Sequence, residues 1–191
     1  DEVMERVARP VLAEMAERGT PFTGVLYCGL AVTSKGIQVI EFNARFGDPE
    51  TQPMFARLET PLGQLLKAAT ESKLRTTFPS LKFSDDAAVG VVVASEGYPA
   101  APKTGAQITG VAEAARLEDV SILHAGTTAG DTGEFTASGG RLLTVVATGE
   151  DLATARDKAY GAVETISVPN GHYRTDIAAA AINGEITIPG A

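Results

Sequence analysis

The first eighteen residues place apolar side chains at helical spacing. They recur every four positions, at Val3, Val7, Val11 and Met15. Charged residues occupy the remaining faces, which predicts an amphipathic helix over residues 1–18. Pro10 lies inside this pattern. Because proline lacks a backbone donor and clashes with the preceding turn, we expect a kink or a break there.

Two segments rich in apolar and β-branched residues follow, at 23–32 and 36–43. The residues between them, TSKG, indicate a turn, so the pair predicts a β-hairpin. Successive side chains of a strand point to opposite faces. Glu41 and Asn43 should therefore share one face of the hairpin, and Phe42 should turn toward a core.

A loop over residues 44–52 leaves the hairpin, and helices are expected at 53–57 and 62–73. Residues 75–86 contain few apolar positions suited to a core. We interpret them as a linker that closes a first domain at 1–74.

The remaining residues, 87–191, predict a second domain. Apolar segments indicate strands at 88–94, 106–109, 120–124, 133–136 and 141–148. Residues 151–166 have the period of an amphipathic helix, and an alanine-rich helical turn lies near the carboxyl end. The whole pattern predicts an α+β fold, with an antiparallel hairpin and helices followed by a small mixed α/β domain.

Composition narrows the function classes. Hydrophobic residues make up 44% and charged residues 21%, as in ordinary globular proteins. A net charge of −8 argues against a nucleic-acid surface, although it leaves a nucleotide ligand open. No apolar run is long enough to cross a membrane and no signal peptide opens the chain, so we expect a cytoplasmic protein.

The charged groups that suggest chemistry concentrate in residues 39–52, VIEFNARFGDPETQ. Glu41 and Asn43 pair a carboxylate with a carboxamide oxygen, which suits a hard cation such as Mg²⁺ that shares its coordination with phosphates. The alternative is that Asn43 caps the loop and Glu41 pairs with an arginine. The Arg45 guanidinium suits phosphate or carboxylate, and its alternative role is a salt bridge that shapes the loop.

The stretch EFNARFGDPETQ resembles the metal-binding strand and loop of the glycinamide ribonucleotide synthetase family, whose members are ATP-grasp ligases. FTGVLYCGLAV before it continues the resemblance in the family's order, as do GVVVASEGYP, HAGT, GGRLLTV and HYRTDIA after it. The resemblance implies the distal part of an ATP-grasp domain joined to the ligase's carboxy-terminal domain. It also implies that ATP, glycine and 5-phosphoribosylamine give glycinamide ribonucleotide, ADP and phosphate through a glycyl phosphate.

Roles for single residues follow from that resemblance. It implies Mg²⁺ or Mn²⁺ at Glu41 and Asn43, bridging the nucleotide phosphates, and a catalytic Arg45 beside the transferred phosphoryl group. Asp48 and Glu50 would contact substrate amines, or they would instead cap the helix that follows.

Two further substrate contacts are expected from the second domain, at Arg174 and Asp176, although an Arg-x-Asp sequence is also a common surface ion pair. His124 and His172 are too few for a zinc site, and we expect His124 to order a loop.

The nucleotide-gripping residues would lie upstream, in other lobes of the same enzyme, so we expect these 191 residues alone to be inactive. Two alternatives remain for the function of the protein. One is another ATP-grasp carboxylate–amine ligase or carboxylase, and the other is a non-catalytic interaction module.

Overall fold

The computed structural model describes residues 2–131 and 133–186, and it contains helices and antiparallel strands, the α+β class predicted from the sequence. The elements in chain order are a π-helical turn Met4–Ala8, α1 Arg9–Glu17, β1 Tyr27–Thr33, β2 Gly36–Asn43, α2 Thr51–Arg57, α3 Leu62–Thr70, α4 Leu74–Thr77, β3 Ala87–Ala94, β4 Gln107–Ile108, α5 Val111–Ala114, β5 Val120–His124, β6 Thr127–Ala129, β7 Phe135–Ala137, β8 Arg141–Gly149, α6 Leu152–Thr165 and α7 Ala179–Ile182. None of the helices in the described residues combines the length and apolar character needed to cross a membrane.

Internal contacts divide the chain into two units. The first holds residues 2–48 and 59–82, and the second holds Pro49–Leu58 together with Phe83–Ile186. Helix α2 thus belongs with the second unit, where it packs on β3 and β8. The domain limits expected from the sequence stay a prediction.

The amino-terminal helix changes its geometry where the sequence predicted an irregularity. The π-helical turn ends at Ala8, α1 begins at Arg9, and Pro10 lies in the first turn of α1. Because the residues before Pro10 are already helical, its missing N–H leaves a carbonyl of the preceding turn without its helical donor. Wider π turns are a known way to accommodate such a disruption.

The apolar face of β2 is more open than the sequence suggested. Phe42, which we expected to face a core, is 40% exposed, and Ile40 is 70% exposed. That expectation was wrong: the hairpin is a sheet of only two strands among the described residues, and it leaves these two side chains open to solvent. The buried apolar residues of the first unit lie elsewhere, at Val7, Ala8, Leu65 and Ala68.

The second unit is built around strand β8, the centre of the antiparallel sheet β3–β8–β5. Its residues from 142 to 147 are all buried. Helix α6 contacts β3 and β8. Gly90 of β3 instead lies against α2, since a Cβ there would be 3.2 Å from Pro53 Cδ. Cover on both faces explains why residues 142–147 are all buried, instead of only every second residue.

A second small sheet, β4–β7–β6, completes this unit. The sequence did not predict β6 or α5, because segments of three and four residues are too short to display a period. Helix α6 begins as expected, since the Asp151 carboxylate accepts a hydrogen bond of 2.7 Å from the Thr154 amide.

Candidate functional site

The hairpin turn sets the register of the two strands that carry the first site residues. Thr33 pairs with Gly36 across the predicted turn, and the Thr33 hydroxyl donates to the Gly36 carbonyl at 2.9 Å. Farther along, Leu30 faces Val39 whereas Gly29 faces Glu41. Ile40 is therefore an extra residue on β2, which makes a β-bulge immediately before Glu41. Bulges of this kind re-aim the side chains next to functional sites.

Beyond the bulge, Glu41 and Asn43 lie on one face, as predicted. The Asn43 amide nitrogen donates a hydrogen bond of 2.9 Å to Glu41 Oε1. Glu41 is exposed to solvent rather than covered by the amino-terminal helix. The carboxylate and the carboxamide are thus adjacent and accessible to a ligand.

Gly29 leaves the space that the Glu41 side chain occupies. A Cβ on Gly29 would be only 3.0 Å from Glu41 Cγ and 3.4 Å from the Glu41 carbonyl oxygen. Because Gly29 is directly opposite Glu41 in the register, any side chain there would press on this carboxylate. The sequence alone does not reveal this role of Gly29, because it depends on the pairing of the two strands.

A carboxylate and a carboxamide fit a metal that draws its other ligands from phosphate and water. Within the described part of the chain, no group of three or more His, Cys, Asp or Glu side chains could hold a metal. Glu41 and Asn43 alone therefore do not make a self-sufficient cage. This donor set is typical of Mg²⁺ bound together with a nucleotide, which uses one or two carboxylates plus phosphate oxygens.

Arg45 and Asp48 follow in the loop that leaves β2. The Arg45 guanidinium donates to the Phe46 carbonyl at 2.7 Å, so its observed contact is with its own loop. Both Arg45 and Asp48 are exposed, whereas Gly47 between them is buried. The loop backbone is therefore buried at Gly47, while the charged side chains of Arg45 and Asp48 on either side face solvent.

Glu50 lies at the start of α2, in the second unit. It is the N-cap residue, yet its backbone is already helical and its side chain makes no capping hydrogen bond. The carboxylate of Glu50 is exposed. The structure thus does not show Glu50 capping α2 through its side chain, which was the alternative to a substrate contact.

Arg174 and Asp176 form a two-point ion pair in the second unit. Arg174 Nε donates to Asp176 Oδ1 at 2.8 Å, and Nη2 donates to Oδ2 at 2.6 Å. Hydrogen bonding to Arg174 lowers the pKa of Asp176, and the same bond raises the pKa of Arg174. Their side chains are 74% and 61% exposed, so the pair is open to solvent and to ligands.

Two residues that sequence analysis missed hold the backbone around this pair. Arg156 and Tyr160 of α6 make hydrogen bonds to backbone groups between Arg174 and Ile177. The available signal was weak: two large polar side chains spaced four apart on a helix otherwise rich in alanine. What they contact could be known only from the fold.

The structure therefore brings the predicted residues together in two pairs. Glu41 and Asn43 form one pair on the first unit, where Arg45 and Asp48 also lie. Arg174 and Asp176 form the other on the second unit, which also includes Glu50. His124 does order its loop, since its Nδ1 is 2.8 Å from the Thr127 hydroxyl.

Known proteins match both units. Residues 1–51 match the family model described as phosphoribosylglycinamide synthetase, ATP-grasp (A) domain. Residues 88–180 match the model described as phosphoribosylglycinamide synthetase, C domain. The first match ends just beyond the loop of Arg45 and Asp48, and the second includes Arg174 and Asp176.

Individual relatives carry the name phosphoribosylamine–glycine ligase. The protein of Streptomyces coelicolor is 55% identical over 184 residues, which is 95% of this chain and 44% of that protein. The protein of Leifsonia xyli subsp. xyli is 52% identical over 182 residues, which is 95% of this chain and 43% of that protein. The crystal structure of the enzyme from Thermotoga maritima shares the fold with a TM-score of 0.72 and 32% identity, over 92% of this chain and 42% of that one.

The chain thus spans less than half of the length of these relatives. Both family models describe parts of one synthetase, and they match this chain in order along most of its length. The chain belongs to the phosphoribosylglycinamide synthetase family.

Proposed function

We propose that this chain is part of an ATP-dependent ligase that joins glycine to 5-phosphoribosylamine, giving glycinamide ribonucleotide, ADP and phosphate. The observation that carries the proposal is the adjacent pair of the exposed Glu41 and the half-buried Asn43 within the stretch EFNARFGDPETQ. Relatives named phosphoribosylamine–glycine ligase support this reaction over other ATP-grasp ligases and over a non-catalytic module.

Glu41 and Asn43 would hold Mg²⁺ or Mn²⁺ through the carboxylate and the carboxamide oxygen. When bound, the ion neutralises phosphate charge and orients the nucleotide. The chain's own contribution is to keep the two side chains next to each other, in contact through the Asn43 amide nitrogen and Glu41 Oε1. The bulge at Ile40 and the space left by Gly29 keep them there.

Arg45 would act on the phosphoryl group that passes from ATP to the glycine carboxylate. Charge spreads over the oxygens of this group in the transition state, and a fixed guanidinium stabilises that charge. The hydrogen bond from the Arg45 guanidinium to the Phe46 carbonyl restrains the Arg45 side chain in the loop that follows β2.

The carboxylates of Asp48 and Glu50 would contact the amino groups of the substrates. The sugar amine must be neutral to attack the glycyl phosphate carbonyl and expel phosphate, so a nearby carboxylate that accepts its proton favours the reaction. Arg174 and Asp176 would contact the phosphosugar, because a guanidinium is a good partner for its phosphate.

The test uses a full-length ligase that contains this chain, purified free of divalent metal. We expect product to form only when ATP, glycine, 5-phosphoribosylamine and Mg²⁺ or Mn²⁺ are all present. ADP release that depends on bicarbonate instead of glycine would make the protein a carboxylase. Lack of any response to metal would favour the non-catalytic module.

A pair of arginine variants sharpens the assay. Arg45→Ala should lower kcat by more than tenfold and change the KM for ATP less, because its contact strengthens in the transition state. Arg75→Ala, which removes an exposed arginine of α4, is the matched control and should leave kcat unchanged. Equal effects of Arg45→Ala on kcat and KM would make Arg45 a ground-state anchor.

A further inference from the structure

Residues 172–178, here called the tail segment, are fixed at both ends to the second unit. At one end His172 and Ala94 exchange two backbone hydrogen bonds, of 2.8 and 3.0 Å. At the other end Ile177 and Ala178 pack against the core cluster of the same unit. The residues between these ends, 173–176, are exposed and carry Arg174 and Asp176.

The backbone between these ends is held by side chains of α6 rather than by a strand ladder. Arg156 Nε donates to the Ile177 carbonyl at 3.0 Å, and its Nη2 donates to the Thr175 carbonyl at 2.8 Å. The Tyr160 hydroxyl donates to the Arg174 carbonyl at 2.6 Å and accepts from the Ile177 amide at 3.2 Å. Two side chains thus make four hydrogen bonds to backbone groups of three residues.

Arg156 and Tyr160 also restrain each other. They are four residues apart on one face of α6, and Arg156 Cζ lies 4.5 Å from the centroid of the Tyr160 ring, a cation–π contact. The Arg156 side chain is only 26% exposed. Beneath them, Ala155 and Ala159 are fully buried, so the helix that carries both side chains is anchored in the core.

The conformation that they hold is not one the tail segment would adopt freely. Ala178, at its end, has a φ of +64°, in the left-handed region that a residue with a Cβ rarely occupies. Strained residues of this kind persist only where surrounding contacts determine the backbone. The four hydrogen bonds from α6 end at residues 174, 175 and 177, so they hold the backbone that leads into Ala178.

We propose that Arg156 and Tyr160 are positioning residues that fix the tail segment so that Arg174 is presented in one orientation to the phosphate of the phosphosugar substrate. This inference rests on the proposed ligase function. The two bonds to Asp176 use two of the five N–H donors of Arg174, and the others remain to bind an anion. Asp176 orients the guanidinium, while Arg156 and Tyr160 orient the backbone beneath it.

Removal of the restraint has a predictable kinetic signature. If the tail segment samples several conformations, only a fraction of molecules presents Arg174 correctly, and the apparent affinity for the phosphosugar falls by that fraction. The KM for 5-phosphoribosylamine should therefore rise, whereas the KM for ATP should stay unchanged. A general loss of structure would instead lower kcat and the melting temperature without this selectivity.

The experiment uses a full-length ligase that contains this chain, with Arg156→Ala, Arg156→Lys, Tyr160→Phe and the control Lys158→Ala. Lys158 lies on the same helix and binds Asp119 at 2.6 Å, away from the tail segment. We expect the KM for 5-phosphoribosylamine to rise about tenfold in Arg156→Ala and about threefold in Tyr160→Phe. Each variant loses two hydrogen bonds, but those of the charged Arg156 are stronger than those of the neutral Tyr160 hydroxyl. Lys158→Ala should stay within about twofold of wild type. Arg156→Lys should recover part of the loss, because an ammonium can reach one carbonyl but cannot span two.

A double-variant cycle tests whether the effect passes through Arg174. Arg174→Ala should raise the same KM, and Arg156→Ala combined with Arg174→Ala should be no worse than Arg174→Ala alone. Multiplicative losses in the double variant would overturn the inference. The inference would also be overturned if Arg156→Ala left the KM for 5-phosphoribosylamine unchanged while Arg174→Ala raised it. That result would not contradict the proposed ligase function.

Hydrogen exchange provides a readout that does not need activity. The Ile177 amide donates to the Tyr160 hydroxyl, so Tyr160→Phe should speed exchange at Ile177 relative to wild type. Unchanged exchange there would overturn the positioning role whatever the kinetics show. A wild-type ligase that forms no glycinamide ribonucleotide while Ile177 exchange responds as expected would refute the proposed function instead.

Discussion

Gly29→Ala tests whether the space beside Glu41 matters for metal binding. The backbone of Gly29 is in the strand region, so alanine is allowed there without strain. Its new Cβ would lie 3.0 Å from Glu41 Cγ, and ordinary van der Waals contact begins at 3.4 Å. The Glu41 side chain must therefore shift by several tenths of an ångström or change its rotamer.

Folding stability should change little. Moving Glu41 off its preferred rotamer costs about 0.5–1.5 kcal/mol. Replacing a glycine within a strand with alanine recovers about 0.5–1 kcal/mol of backbone entropy. Because these terms oppose each other, the net change in the free energy of unfolding should be within about 1 kcal/mol.

The metal site should respond more strongly than the fold. A misplacement of about 1 Å at a site can cost up to about 100-fold in rate, so a shift of several tenths of an ångström should cost about three- to tenfold. The assay is the concentration of Mg²⁺ or Mn²⁺ that gives half-maximal turnover of a full-length ligase containing this chain, measured beside thermal denaturation.

Gly63→Ala is the matched control for this variant. Gly63 lies in α3 of the same unit, and a Cβ there meets nothing within 4 Å. It should leave the metal dependence unchanged and stabilise the helix slightly. If Gly29→Ala also leaves the metal dependence unchanged, the proposed link between Gly29, Glu41 and the metal is refuted.

The remaining predictions concern stability and the chain taken alone. Hydrogen bonds from Thr154 lower the pKa of Asp151, so the stability that its charge gives is present above the ordinary value of 3.8 and lost as the pH falls through the lowered pKa. Asp151→Asn, which keeps a capping oxygen but does not titrate, should flatten the acid dependence of thermal unfolding, and an unchanged pH profile would contradict this. Gly161→Ala fills open space within α6 and should raise the free energy of unfolding by about 0.5–1 kcal/mol, whereas a lower melting temperature would reveal a contact that the structure does not show. The 191 residues alone should release no ADP from ATP when glycine and 5-phosphoribosylamine are present. Metal-dependent turnover by them would mean that they hold a complete nucleotide site.

Local patterns in the sequence determined much of the architecture. The alternation of a strand was enough to place Glu41 and Asn43 on one face, and their side chains do form a hydrogen bond. The amphipathic period over residues 151–166 correctly predicted α6, which runs from Leu152 to Thr165. These features depend on interactions between residues that are close in the chain, which is why a linear pattern records them.

Tertiary structure decided which face of an element is covered. Alternation correctly placed Phe42 opposite Glu41 but could not tell whether a second layer would pack on that side, and the side chain is 40% exposed. The same limit applies to α2, whose helical pattern gave no sign that it packs on β3 and β8 of the second unit. Burial depends on elements far away in the chain, so a periodic pattern indicates a face without indicating its partner.

The fine geometry of the site also required the fold. The bulge at Ile40 arises from the register of two strands, and the role of Gly29 exists only because that register places it opposite Glu41. Arg156 and Tyr160 make hydrogen bonds to backbone groups of the tail segment that lie up to 21 positions away in the sequence. The sequence by itself determined which chemical groups are present and which neighbours share a face. Only the tertiary structure decided which distant groups meet, because strand register and packing are set by contacts that no local period encodes.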